Sequence, residues 1–182
     1  MANLAVLRAT EEERPILENL LQLYIHDFSQ FCAVNLDLDG KFGYPDLPLY
    51  WLEPGRHPFL ARMNGDLAGF MLVRQIALND GNKTVWDMTE FFVLRGMRRR
   101  GIGTELAHAV WAMFPGAWQV RVMQSNLPAQ QFWATAVAKY AGAPIEPTSI
   151  EKNGEPWNVF SFESRLVRKD FTYLKSIDER KL

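Results

Sequence analysis

This chain is poor in the residues that build metal centres and covalent staples. One of its 182 residues, Cys32, is cysteine, and three are histidine. A single thiol excludes an internal disulfide and a cysteine-based metal cluster, and Cys32 reads as a small apolar side chain. His26, His57 and His108 stand far apart, which argues against a histidine-rich metal site, and no metal is expected. Neither sign of charge dominates: 20 Lys and Arg face 21 Asp and Glu, a net charge of −1. A general attraction to nucleic acid or to an anionic membrane is therefore not expected. No apolar run approaches the length of a membrane span, and no basic region followed by an apolar stretch opens the chain. The resulting expectation is a cytoplasmic protein. Internal repeats and linkers are also lacking, so residues 1–182 read as one domain with 165–182 as a charged extension. At 48% hydrophobic and 23% charged residues, the chain can fill a core.

What is present is a clear succession of elements. Leu4 to Leu7 reads as a strand. Thr10 and Glu13 form a capping box ahead of a helical stripe, Ile16, Leu17, Leu20, Leu21, Leu23, Tyr24 and Phe28, predicting a helix over about 11–31. Residues 35–58 are irregular, with four prolines and three glycines, and 47–52 can form a short helix. Within this segment Asn35, Asp37, Asp39 and Gly40 resemble a degraded calcium loop, for which a turn built from Asx side chains is the preferred reading. Strands follow at 59–63 and 67–76 around Asn64-Gly65, then at 84–94. A helix over 103–114 ends at Pro115-Gly116, a strand spans 118–123, and a helix with Pro128 near its start runs to Tyr140 and Gly142. Two strands, 145–151 and 157–163, flank an Asn153-Gly154 turn.

The most informative stretch is Arg98-Arg99-Arg100-Gly101-Ile102-Gly103-Thr104, between a strand and a helix. Glycines permit close backbone approach, and a helix N-terminus presents unpaired N–H groups and partial positive charge. The combination reads as a phosphate cradle.

With that order of elements, Arg98-x-x-Gly101-x-Gly103 resembles the first motif of the GNAT superfamily of N-acetyltransferases. Val93 stands where those proteins often carry a valine five residues earlier. Asn126, Ala129, Phe132 and Trp133 match the spacing of their second motif. The resemblance implies an α/β (α+β) fold with a mixed, mostly antiparallel sheet of six or seven strands, flanked by helices and splayed between strands 4 and 5. It implies acetyl-CoA as cosubstrate and an N-acetyltransferase activity. Arg98, Arg99, Arg100, Gly101, Ile102, Gly103 and Thr104 would hold the CoA pyrophosphate. The backbone around Phe91, Phe92 and Val93 would pair with the pantetheine arm, with Asn126 bonding its amide and Phe132 packing on it. Trp133 stands where many members have the tyrosine that protonates the departing thiolate. Since an indole is no acid near neutral pH, Tyr140 or water is an alternative acid, and a non-catalytic acyl-CoA-binding module is the alternative function.

An amine must lose its proton before it attacks. Glu90, in the middle of the fourth strand, is the candidate base, with Asp87 a weaker one. The resemblance implies that the acceptor, a small-molecule or protein amine, lies along the first helix and the segment after it, where Tyr24, Asp27, Phe28, Tyr44 and Trp51 combine acids and aromatics that suit a cation. The oligomer is read as a monomer or homodimer.

Overall fold

The computed structural model describes residues 3–78 and 83–165, so the charged extension beyond Arg165 lies outside the described residues. Seven strands form one sheet: β1 (Leu4–Arg8), β2 (Arg56–Met63), β3 (Asp66–Ala77), β4 (Thr84–Val93), β5 (Gly116–Met123), β6 (Thr148–Lys152) and β7 (Glu155–Ser164). Their order is β1-β2-β3-β4-β5-β7-β6. Every pairing is antiparallel except β4 with β5. This is the mixed, mostly antiparallel sheet expected from the sequence.

The two Asn-Gly turns act as read. Asn64 and Gly65 take φ of 53° and 92°, and Asn153 and Gly154 take 55° and 77°. Paired left-handed residues give the turn whose twist matches two antiparallel strands.

The four helices are α1 (Arg14–Phe28), α2 (Leu49–Leu52), α3 (Ile102–Met113) and α4 (Leu127–Ala141). Helix α1 starts three residues beyond the predicted boundary. Thr10 does not cap it; only the reciprocal half of the box forms, the Thr10 N–H donating to Glu13 Oε2 at 3.2 Å. Helix α4 is capped by Asn126 Oδ1, which accepts from Ala129 N–H at 3.1 Å, and ends, as its sequence suggests, at Gly142 with φ 80°. The described helices include none long and apolar enough to cross a membrane.

The helices cover the two sheet faces unequally. Leu106, Val110 and Trp111 of α3 and Trp133 and Val137 of α4 pack on Met71, Val73, Val120 and Phe160, a core spanning the sheet from β2 to β7. Leu17, Leu20 and Leu21 of α1, with Leu47 and Tyr50, pack on Leu60, Phe70, Leu72 and Phe92. This second core draws its strand residues from β2, β3 and β4 and none from β5, β6 or β7. On the α1 side, half of the sheet face is bare, and the functional cleft lies there.

Candidate active site

Two irregularities in β4 build the site. The first is a bulge. Leu72 of β3 is opposite Glu90 and Val73 is opposite Met88, which leaves Thr89 as an extra residue. Strand residues alternate between faces, so one extra residue reverses the assignment of all that follow. Trp86 and Met88 belong to the α3/α4 core. Without the bulge Glu90 would enter that core too. With it, Glu90 joins Phe92 on the α1 face, where Tyr44 donates a hydrogen bond from Oη to Glu90 Oε1 at 2.9 Å. The Tyr24 hydroxyl lies near the same carboxylate without closing a well-formed hydrogen bond. Burial raises the Glu90 pKa above the ordinary carboxylate value. The Tyr24 and Tyr44 hydroxyls oppose this by favouring the charged form, the charge of Asp87 adds to it, and Arg121 again opposes it. A carboxylate whose basicity is raised and that opens into a cleft can accept a proton from an amine.

Asp87 is fully buried and accounts for the polar layer beneath. Arg121 donates to it from two nitrogens, Nε to Oδ1 at 3.0 Å and Nη2 to Oδ2 at 2.7 Å. Arg74 Nε, Gln119 Nε2 and Thr89 Oγ1 donate to it at 3.4, 3.0 and 3.1 Å. All the oxygen capacity of Asp87 is used, so it anchors two arginines and is not the base. Nearby, the buried Tyr50 hydroxyl is directed at Thr89 without closing a well-formed hydrogen bond.

The second irregularity is the splay. Strands β4 and β5 pair only from Trp86 to Met88, opposite Trp118 to Val120. Beyond that point the two diverge. Leu94 N–H bonds Ala68 O on the β3 side. In an alternating antiparallel ladder, Glu90 and Phe92 then face β3 with their backbone groups, and Phe91 and Val93 face the gap. The gap thus carries an unpaired strand edge inside the fold. Arg98 Nε donates to one of its acceptors, Val93 O, at 2.7 Å.

The glycine loop closes the end of the gap. Gly101 is left-handed, φ 81°, and caps α3; Arg99 before it is left-handed too, at 62°. A non-glycine residue rarely holds that conformation, and here it accompanies backbone N–H groups gathered at a helix start. Gly103 serves packing. A Cβ there would sit 3.0 Å from Phe132 Cε2 and 3.2 Å from Cζ. The two glycines therefore have separate reasons: one for the turn, one for the approach of α3 to α4.

A cleft of about 520 Å³ lies beside the bulge and the start of the gap; the Arg98–Thr104 loop, Val93 and Phe132 are not part of its lining. Of the residues singled out in the sequence, Tyr24, Phe28, Tyr44, Glu90, Phe91, Asn126 and Trp133 line it. Phe132 stacks on Phe91 with ring centroids 5.5 Å apart, and Trp133 meets Phe91 edge-on at 4.9 Å. Four other expected residues are placed differently. Asp27 faces no acceptor: Arg95 Nη2 and Arg98 Nη2 donate to it at 2.6 and 2.8 Å. Burial works against its charged form, but those hydrogen bonds outweigh it and hold the Asp27 pKa low. Arg98 is spent on Asp27, Val93 O and the Phe92 ring, so its guanidinium does not extend toward a phosphate. Trp51 donates from Nε1 to Ala9 O at 3.0 Å and packs in the α1 core. Phe92 turns its backbone to β3 and its ring into the same core. The alternative acid Tyr140 is remote as well. It hydrogen-bonds Ser164 Oγ at 2.8 Å and lines a separate hollow between α3, α4 and β7. In the calcium-like segment, Lys41 N–H donates to Asp39 Oδ1 at 3.3 Å, an Asx turn, and no metal-binding cluster occurs among the described residues.

The cleft also contains residues that the sequence did not single out: Arg74, Arg121 and Lys152. Alternation along β5 sets Arg121 opposite in face to Val120 and Val122, but only the bare sheet half makes that face a cleft wall.

A splayed parallel pair, a glycine loop on a helix N-terminus and a carboxylate opposite the gap define an acyl-transferase type of site. A model of the acetyltransferase (GNAT) family matches residues 17–136. The chain belongs to the GNAT acetyltransferase family. No curated protein matches it significantly. Among solved structures it is similar to aminoglycoside acetyltransferase AAC(6')-Ib in complex with coenzyme A, with 16% identity, 88% and 95% of the two chains covered and a TM-score of 0.64. It is similar to an acetyltransferase from Thermus thermophilus at 16% identity, 90% and 97% coverage and TM-score 0.61. It also resembles Arabidopsis thaliana NAA60 in complex with a bisubstrate analogue, at 15% identity, 88% and 98% coverage and TM-score 0.57. At these identities the likeness is one of fold.

Proposed function

We propose that this protein is an acetyl-CoA-dependent N-acetyltransferase in which Glu90 takes the proton of the acceptor amine. The observation that carries the reading is the Thr89 bulge, which aims a half-buried carboxylate into the cleft beside the β4/β5 gap.

The residues present fit the donor. The backbone edge of Phe91 and Val93 suits a chain with amide groups, and the Arg99 to Thr104 turn suits a pyrophosphate. Asn126 Oδ1 is used in capping α4, which leaves its amide nitrogen for the donor. Phe132 and Trp133 wall the gap against Phe91. When bound, acetyl-CoA supplies an activated acetyl thioester.

The Tyr44 hydrogen bond holds the Glu90 carboxylate in place. One ammonium proton passes to Glu90, and the nitrogen pair forms the C–N bond as the C–S bond breaks and its electrons stay on sulfur; the second proton leaves the nitrogen as the amide forms and passes through cleft water to the thiolate. The Phe91 N–H, on the gap side, is positioned to polarise the carbonyl. Trp133 donates no proton as an acid. A thiol titrates near pH 8.5, so the leaving thiolate takes up a proton at neutral pH, and water in the open cleft can deliver it without a side-chain acid. The test is thiol release from acetyl-CoA over a panel of amines, together with calorimetric binding of acetyl-CoA. Binding without turnover of any amine would favour the acyl-CoA-binding module.

A further inference from the structure

We infer that the acceptor is a primary amine that also carries an anionic group, a carboxylate or a phosphate, and that Lys152, Arg121 and Arg74 receive that group. This rests on the N-acetyltransferase reading and deepens it.

The cleft wall opposite α1 is cationic. Arg74 on β3, Arg121 on β5 and Lys152 on β6 all line it. The two arginines share one buried carboxylate, Asp87, so positive charge is left over. Asp87 engages Nε and Nη2 of Arg121, and Nε of Arg74. Nη1 of Arg121 and both terminal nitrogens of Arg74 have no acceptor among the described residues. Lys152 has no carboxylate partner among them either. Glu155 faces it across the hairpin without forming an ion pair. The Lys152 Nζ instead lies 5.7 Å from the Trp157 ring centre. Burial and the charges of Arg121 and Arg74 lower its pKa, against the pull of Asp87 and Glu90. Lys152, which forms no ion pair among the described residues, and the guanidinium nitrogens not engaged by Asp87 are donors that an anion from solution can satisfy.

The acids that would attract a polycation are engaged elsewhere. Asp27 pairs with Arg95 and Arg98, Asp39 with Lys41, and Glu53 with Arg56. Only Asp46, exposed at the rim, and Glu90 itself line the cleft as acids. An acceptor with its amine at Glu90 and its anion at Lys152 matches both ends. A polyamine or aminoglycoside would set a second cation against three.

The test compares matched amines by thiol release: α-amino acids against their carboxamides, O-phosphoethanolamine against ethanolamine, and spermidine. The expected result is a kcat/KM at least about tenfold higher for an anionic amine than for its neutral match, the size of one charge-assisted hydrogen bond in a partly wet site. The two anionic arms tell carboxylate from phosphate. Lys152→Met should reduce the ratio toward one, mainly through KM, and Lys152→Glu should reverse it, with acetyl-CoA affinity as the control for folding. A second arm does not need turnover: calorimetric binding of N-acetyl amino acids, N-acetyl-O-phosphoethanolamine and their neutral matches to the CoA complex. If no amine is turned over but the anionic products bind and Lys152→Glu abolishes binding, the anion site stands and the transferase reading falls. If amines are turned over with neutral or cationic ones preferred, or if the anionic preference survives both variants, the anion site is overturned while the transferase reading stands. Absence of both turnover and anion binding would overturn both.

Discussion

Replacing Glu90 by glutamine isolates the proposed proton transfer. Glutamine keeps the size and can still accept from Tyr44 Oη, which lies 2.9 Å from Oε1, but it cannot take a proton. A positioned general base contributes about 10²- to 10⁴-fold in rate, so Glu90→Gln should lower kcat/KM for the best amine by that factor, about 2.7–5.5 kcal/mol of barrier. Acetyl-CoA affinity should stay within about twofold, because the Glu90 side chain faces α1 while the gap edge is formed by the Phe91 and Val93 backbone. The pH profile is the sharper readout. Burial raises the Glu90 pKa, so the wild-type rate should fall with decreasing pH along a limb above the ordinary carboxylate range. The limb should vanish in Glu90→Gln. In Tyr44→Phe it should move to higher pH, because a hydrogen bond that favours the charged form is gone. Thiol-release assays on the three proteins across roughly pH 5 to 9 decide the matter. A Glu90→Gln enzyme within about threefold of wild type, with the limb intact, would refute the assignment.

Asp87→Asn should destabilise the fold by about 3 kcal/mol, a fall of about 6–12 °C in thermal midpoint, because it strands two arginines; Arg121 and Arg74 retain 17% and 27% side-chain exposure, which places the loss at the low end for a broken buried pair. Gly103→Ala should lower the midpoint by about 2–4 °C although alanine favours helix, since its Cβ meets Phe132 at 3.0 Å; a rise on calorimetry would contradict the packing role. Asp27 has a folded pKa below its unfolded value of 3.8, so its contribution is present above that value and is lost as pH falls through the folded one. Asp27→Asn should therefore flatten the acid limb of a stability–pH curve, by less than about 1 kcal/mol, because Arg95 is 72% exposed.

Much of the architecture was legible in local sequence because the signals are local. Asn-Gly pairs take left-handed angles wherever they stand, the Leu17, Leu20, Leu21 and Tyr24 stripe marks one helix face, and Pro128 and Gly142 mark the two ends of α4. The strand, glycine loop and helix around Arg98 to Thr104 were readable for the same reason. Side-chain partners were not. Asp27, acidic and beside aromatics, looked like a ligand for a cation, and nothing local shows that Arg95 and Arg98, 68 and 71 residues away, neutralise it. Trp51 and Phe92 likewise resemble site residues until the α1 core claims them.

The chain's residue order alone determined the elements, their succession and the phosphate-type loop, since propensity, capping and turn chemistry act within a few residues. Tertiary structure decided where chemistry can occur. The Thr89 bulge, visible only in the register of β3 against β4, sets the face on which Glu90 emerges. The unequal cover of the sheet, which depends on where α1 and α2 dock, makes Arg74, Arg121 and Lys152 the wall of a cleft rather than a solvated strand face. Faces and partners are long-range quantities, fixed when distant segments exclude water from between them.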